Sequence, residues 1–146
     1  MRIPMDKALL VLQLLVEGNS IRSTERISGI HRDTILSLLL MVGEKCEQLL
    51  FDRIEKVSVK SVQCDEIWGF VEMKEKTKNR KGRGDESSLG DAYCFVGMET
   101  HTKLILAWHL GRRTAADTMA FTEKLARATA DHRFQINTDG FTPYKD

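Results

Sequence analysis

The segment Val62-Gln63-Cys64-Asp65-Glu66-Ile67-Trp68-Gly69-Phe70-Val71 constrains this chain most, because an apolar, aromatic run of strand character carries two adjacent carboxylates in its middle. Side chains alternate along a strand, so Val62, Cys64, Trp68 and Phe70 share one face while Ile67 and Val71 take the other, and both faces are expected to be covered. A carboxylate in such a place must be protonated, paired or bound to a cation, and the run contains no Lys or Arg. A divalent metal is one answer; an acid at a strand end, solvated and salt-bridged to a helix, is the other. Asp65 and Glu66 point to opposite faces and cannot both reach one ion from the same strand. Asp65 is the candidate, because Gly69 on its side leaves room for a bulky ligand.

A length of 146 residues suits one ordinary domain, or a helical domain of about 50 residues followed by an unfinished one. The net charge of +1 carries no global bias toward a polyanion, so any nucleic-acid contact has to come from clustered cations. Cys46, Cys64 and Cys94 are far apart and form neither a CxxC pair nor a zinc spacing, as expected of a reduced, cytoplasmic chain. Neither a signal peptide nor a membrane-length apolar run is present, so no membrane partner is expected.

From Pro4 to Glu17, Leu9, Leu10, Leu12, Leu14 and Val16 recur at helical spacing, and Gly18-Asn19 ends the pattern. Ser20 can cap a second helix that stops at Gly29, and a third is expected from about Arg32 to Met41, ended by Gly43. Two helices, a turn containing Gly and a further helix make a helix-turn-helix pattern, whose last helix enters the DNA major groove. Its N-terminal residues His31, Arg32, Asp33 and Ser37 face the base edges, Arg32 reading guanine or gripping phosphate and His31 by itself also suiting a turn or cap, and Arg22 and Arg26 on the preceding helix suit backbone contacts. A three-helix bundle that packs against a neighbour is the competing reading of the same pattern.

Glu44 to Phe51 continues as helix, and residues 52–60 read as a linker, which divides the chain into 1–51, the linker and 61–146. Six of the ten residues 74–83 are basic (Lys74, Lys76, Lys78, Arg80, Lys81 and Arg83), and Lys74 to Gly90 reads as a flexible charged loop that either touches phosphates or is simply solvated. Ala92–Met98 and Lys103–Leu110 form a hairpin, with His101 exposed in its turn and Trp108 in the core. An amphipathic helix follows from Thr114 to Ala130, then a strand, Phe134–Thr138, ending at Asp139-Gly140. The order strand, strand, strand, helix, strand is the opening half of a ribonuclease-H-like α/β fold. If the first and fourth strands lie parallel and adjacent, Asp65 and Asp139 meet, and two acids there select Mg²⁺ or Mn²⁺.

Gly18-Asn19-Ser20-Ile21-Arg22, Cys64-Asp65-Glu66-Ile67-Trp68, Gly90-Asp91-Ala92, Thr102-Lys103-Leu104, Gly111-Arg112-Arg113 and Thr138-Asp139-Gly140 with Tyr144 together resemble the IS-one family of insertion-sequence transposases. The resemblance spans nearly the whole chain. It implies a DDE catalytic domain of ribonuclease-H-like fold, with Asp65 and Asp139 as the first two acids of the triad and two metal ions in the complete site. It further implies binding to the double-stranded terminal repeats of an element, 3′-end cleavage, transfer to target DNA, and a homodimer that pairs two ends. The family's third carboxylate lies on a later helix, whereas this chain stops at Asp146, so a fragment with doubtful activity of its own is expected. Two other readings remain: a non-catalytic DNA-binding repressor of transposition, and a ribonuclease-H-like nuclease with another task.

Overall fold

A computed structural model describes residues 3–140 of the chain; Tyr144 and Asp146 lie outside them. The chain divides into two compact units, Met1–Arg53 and Ile54–Asp146. Among the described residues, five helices and a four-stranded mixed sheet make up the α/β architecture. Among the described residues, no helix is long and apolar enough to cross a membrane.

In the first unit, α1 (Met5–Val16), α2 (Ile21–Ser28) and α3 (Arg32–Arg53) pack around Ala8, Val11, Ile35 and Leu38. The Ser20 hydroxyl accepts from the Ser23 N–H at the start of α2, and Gly29 closes the helix in the left-handed conformation that costs a glycine least. Only residues 29–31 separate α2 from α3. The expected break at Gly43 does not occur, and α3 runs through it as one helix of 22 residues. A mid-helix glycine costs only about 1 kcal/mol, which the strong helix formers on both sides offset.

The second unit is built on β1 (Ser61–Val71), β2 (Gly90–Glu99), β3 (Ile105–Gly111) and β4 (Gln135–Asn137) in the order β3-β2-β1-β4. β1 is antiparallel to β2 and β2 to β3, whereas β1 and β4 are parallel, Val62 facing Ile136 and Gln63 facing Asn137. The crossover helix α5 (Ala115–Ala128) covers one face, its Phe121, Leu125 and Ala128 packing with Val59, Val62, Cys64, Phe95, Leu106 and Ala107.

Three sequence expectations are corrected here. Residues 54–60 are not a free linker: Val59 is buried in the core of the second unit, Val57 bridges to Thr129, and His132 Nε2 lies 2.7 Å from the Val59 carbonyl. The apolar run is not covered along its length. Val62 and Cys64 are buried, but Ile67, Trp68, Phe70 and Val71 are exposed. On the face of α5, Trp68 and Phe70 lie beyond its reach, an 11-residue strand extending roughly 36 Å against about 21 Å for a 14-residue helix, and Ile67 and Val71 lie on the opposite face, which α5 does not cover.

The third correction concerns Lys74 to Gly90, which contains a helix, α4 (Glu75–Arg80), and is tied down throughout. The Asp91 carboxylate accepts from the Glu75 N–H at 3.0 Å, Lys78 pairs with Glu75 at 2.8 Å, and Arg83 bridges Glu72 and Glu86. Arg112 donates to the carbonyls of Asp91, Ser87 and Leu89, holding the segment against the sheet. A Cβ on Gly90, which has a positive φ, would collide with the Glu75 carboxylate. Trp108 is only half-buried, with Lys124 Nζ 5.3 Å from its ring centroid.

Candidate functional site

Within the second unit, the alternation of β1 assigns the two acids to different surroundings. Asp65 is exposed, and its Oδ1 accepts from the Glu66 N–H at 2.8 Å. Glu66 follows Val62 and Cys64 on the face that α5 covers, and its side chain is only 4% exposed. Its Oε2 lies 3.1 Å from Arg113 Nη2, and the same nitrogen lies 3.1 Å from Asp139 Oδ2. Glu66 Oε1 is buried without a hydrogen-bond partner. One guanidinium therefore holds Glu66 and Asp139 side by side.

The parallel pairing of β1 with β4 ends at Gln63 and Asn137, two residues before Asp65 on one strand and two before Asp139 on the other. Asp139 lies beyond the end of β4, and the side chain it shares a partner with is Glu66, through Arg113. Among the described residues, no group of three or more His, Cys, Asp or Glu side chains is gathered as a metal site would require. The oxygen donors present suit a hard divalent cation, and the orphaned Glu66 Oε1 is a buried acceptor that such an ion could satisfy.

Arg113 is placed by the start of α5. Thr114 caps the helix by accepting from the Asp117 N–H, and its hydroxyl donates to Asp117 Oδ2 at 2.7 Å. Asp117 also accepts from the Arg112 N–H and lies 3.0 Å from His109 Nε2. The Thr114 hydroxyl bond, followed by the His109 contact and the Arg112 N–H, holds the Asp117 carboxyl below its ordinary range. The cap fixes the backbone on which Arg113 reaches β1 and β4. Burial, with the Glu66 charge second, pushes the Cys64 thiol up to about 11, which leaves it a packing residue at neutral pH.

Beside Arg113 opens a cleft of about 550 Å³ whose wall includes Tyr93, Lys78, Arg112 and Asp91. The Arg113 guanidinium carbon lies 5.9 Å from the Tyr93 ring centroid. The basic stretch divides at this wall. Lys74, Lys76, Arg80 and Lys81 are exposed, Lys74 lying over the Trp68 ring, whereas Lys78 is buried against Glu75 and Arg83 is held by two glutamates.

In the first unit, Arg22, Arg26, His31, Arg32 and Ser37 are all exposed. Glu25 accepts from the Arg32 N–H at 2.9 Å, supplying a cap to α3 from the preceding helix. The Ser37 hydroxyl donates back to the Asp33 carbonyl, and His31 Nδ1 accepts from the Asp33 N–H. Arg26, His31, Arg32 and Ser37 lie at or near the turn between α2 and α3, whereas Arg22 is in the first turn of α2.

Glu66, Arg113 and the Arg112 clamp escaped the sequence reading. The signal for Glu66 was its two-residue step from Cys64 and Val62; the arginines stood in the Gly111-Arg112-Arg113 motif, but their partners, more than twenty residues away, could not be read from it. No protein-family model matches the chain, and no curated protein is significantly similar to it.

Proposed function

We propose that the chain belongs with DDE transposases of the IS-one type, its second unit being a ribonuclease-H-like catalytic domain and its first a helix-turn-helix DNA-binding domain. The observation that supports this reading is the parallel pairing of β1 with β4 across the crossover helix α5, the strand arrangement such a catalytic domain requires. Mg²⁺ or Mn²⁺, held by Asp65 and Asp139, would supply activation of the attacking oxygen and stabilisation of the leaving one in an in-line displacement at phosphorus. The protein's own part is to seat the strand. The exposed Lys74, Lys76, Arg80 and Lys81 attract the phosphate backbone, and Arg112 and Arg113 form the inner wall of the cleft. Arg22, Arg26, His31, Arg32 and Ser37 contact the duplex of the terminal repeats.

The test is incubation of the purified chain with labelled duplex taken from the ends of its own element. Mg²⁺- or Mn²⁺-dependent nicking that leaves a 3′ hydroxyl, lost in Asp65→Asn and in Asp139→Asn, is the expected result. A second reading, a repressor that occupies the ends without cutting, is favoured by the separate core of the first unit. Tight binding to the ends with no metal-dependent nicking selects it. Cleavage of RNA in a hybrid, with no preference for the ends, would sink both.

A further inference from the structure

α3 carries two apolar lines, and the first unit uses one of them. Ile35, Leu38 and Val42 turn into its core. Leu36, Leu39, Gly43, Cys46 and Leu50 follow one another at steps of three, four, three and four residues, the spacing of a coiled-coil seam, along a second line of the same helix. Leu36 and Leu39 are 44% and 42% exposed, Gly43 and Cys46 are exposed as well, and Leu40 and Leu49 flank the seam at 70% and 55%. The 22-residue α3 is about 33 Å long against about 18 Å for the 12-residue α1, so its last turns outrun the unit's own core. None of residues 43–53 is buried, and helical propensity alone gives so short a stretch little stability.

We propose that a second copy of this chain covers the seam, the two α3 helices packing antiparallel about a two-fold axis that passes between Glu44 and Lys45. The charges choose the direction. The same spacing continues to Arg32 at one end of the seam and Arg53 at the other, so parallel helices would set each arginine against its own counterpart. Antiparallel helices instead lay Leu39 over Leu50, Gly43 beside Cys46 and Arg53 along Leu36, and carry Arg32 past the carbonyl end of the opposite helix, which favours a cation. A Cβ on Gly43 would meet nothing within 4 Å, so the second helix can approach closely at the middle of the seam. The exposed area of these side chains amounts to an interface on the order of 1,000 Å² in total, the low end for a specific contact, which makes the dimer a reversible one. Arg32 lies roughly 12 to 13 residues from the axis, which at 1.5 Å per residue sets the two copies of it about 38 Å apart along the helices, near the about 34–36 Å of one duplex turn. Only the use of that spacing on DNA rests on the transposase reading; the dimer does not.

The experiment is sedimentation velocity of the full chain without DNA, from about 1 to 100 µM, with a thermal melt of each variant. A reversible monomer–dimer equilibrium is expected, its dissociation constant raised about tenfold or more in Leu39→Glu, which sets a carboxylate in the seam at a position the monomer leaves exposed. Mild copper-catalysed oxidation in air should link the Gly43→Cys variant into dimers through Cys46 of the other copy, and adding Cys46→Ser should abolish the link. A chain that stays monomeric throughout overturns the proposal, as does a dimer undiminished in Leu39→Glu, or one dissolved instead by Leu110→Glu on the exposed edge strand β3. Links that survive Cys46→Ser mean parallel helices and overturn the register. The two readings fail separately. A dimer held by the seam with no nicking of element ends removes the transposase and keeps the interface, whereas nicking by a chain that stays monomeric does the reverse.

Discussion

The chain presents two cationic regions, and they differ in what their charges do. Along α2 and at the start of α3, Arg22, Arg26 and Arg32 are exposed, and no carboxylate forms an ion pair with them among the described residues. Between β1 and β2 the basic residues are denser in sequence, yet Lys78 is buried on Glu75 and Arg83 is gripped by Glu72 and Glu86. Those glutamates lower the field the segment offers to DNA and stiffen it instead. If the proposed function holds, the sparser cluster is the one that meets DNA; the denser one is partly an architectural device.

That contrast depends on each region resting on its own core, so the largest test removes one core. Phe121→Ala should cost the second unit about 3–5 kcal/mol, enough to unfold it or nearly so. Circular dichroism should then show a residual helical transition from the first unit. A single transition shifted as a whole would break the division.

Arg32→Ala should next lower affinity for element ends by about 1–3 kcal/mol, while its melting temperature stays near that of the wild type. Unchanged affinity in a gel-shift titration would remove Arg32 from the interface. Lys78→Ala should do the opposite. With Glu75 partly solvated, its loss should cost about 1–2 kcal/mol of stability in urea unfolding. The salt dependence of its DNA binding should match the wild type. A reduced salt slope would show that Lys78 does reach phosphate.

The smallest effect concerns a carboxylate satisfied without any cation. Glu99, buried in the β2–β3 turn, accepts from the Thr102 N–H and hydroxyl and from the His101 N–H, which lower its pKa to about 2. Because the folded value lies below the ordinary 4.5, its contribution is fully present above 4.5 and is lost as the pH falls toward 2. Glu99→Gln should flatten the fall in stability across that window. An unaltered pH profile would mean that these bonds do not persist in solution.

The helices of the first unit were legible because their signals are local: Leu spacing, Ser20 before α2 and Gly29 after it. Gly43 misled because a residue that can end a helix does not do so without a left-handed turn, and α3 supplies none there. The strands were equally readable from their apolar runs. The ordered state of residues 74–90 was not, because it depends on Arg112, distant in sequence, and on pairings that composition cannot display. At the candidate site, the two-residue period of β1 already separated Asp65 from Glu66. Which acid faces the helix could have been read from Val62 and Cys64, but the weight given to Gly69 favoured Asp65.

By itself the sequence determined the order of elements, the opposition of the two acids on β1 and the two-part organisation of the chain, because periodicity and capping act over a few residues. Only the tertiary structure decided which acid is buried, which cations stay exposed and which carboxylates share Arg113. Those outcomes depend on where α5 ends along β1 and on which distant side chains the crossover brings within bonding distance, and neither is encoded in any single stretch.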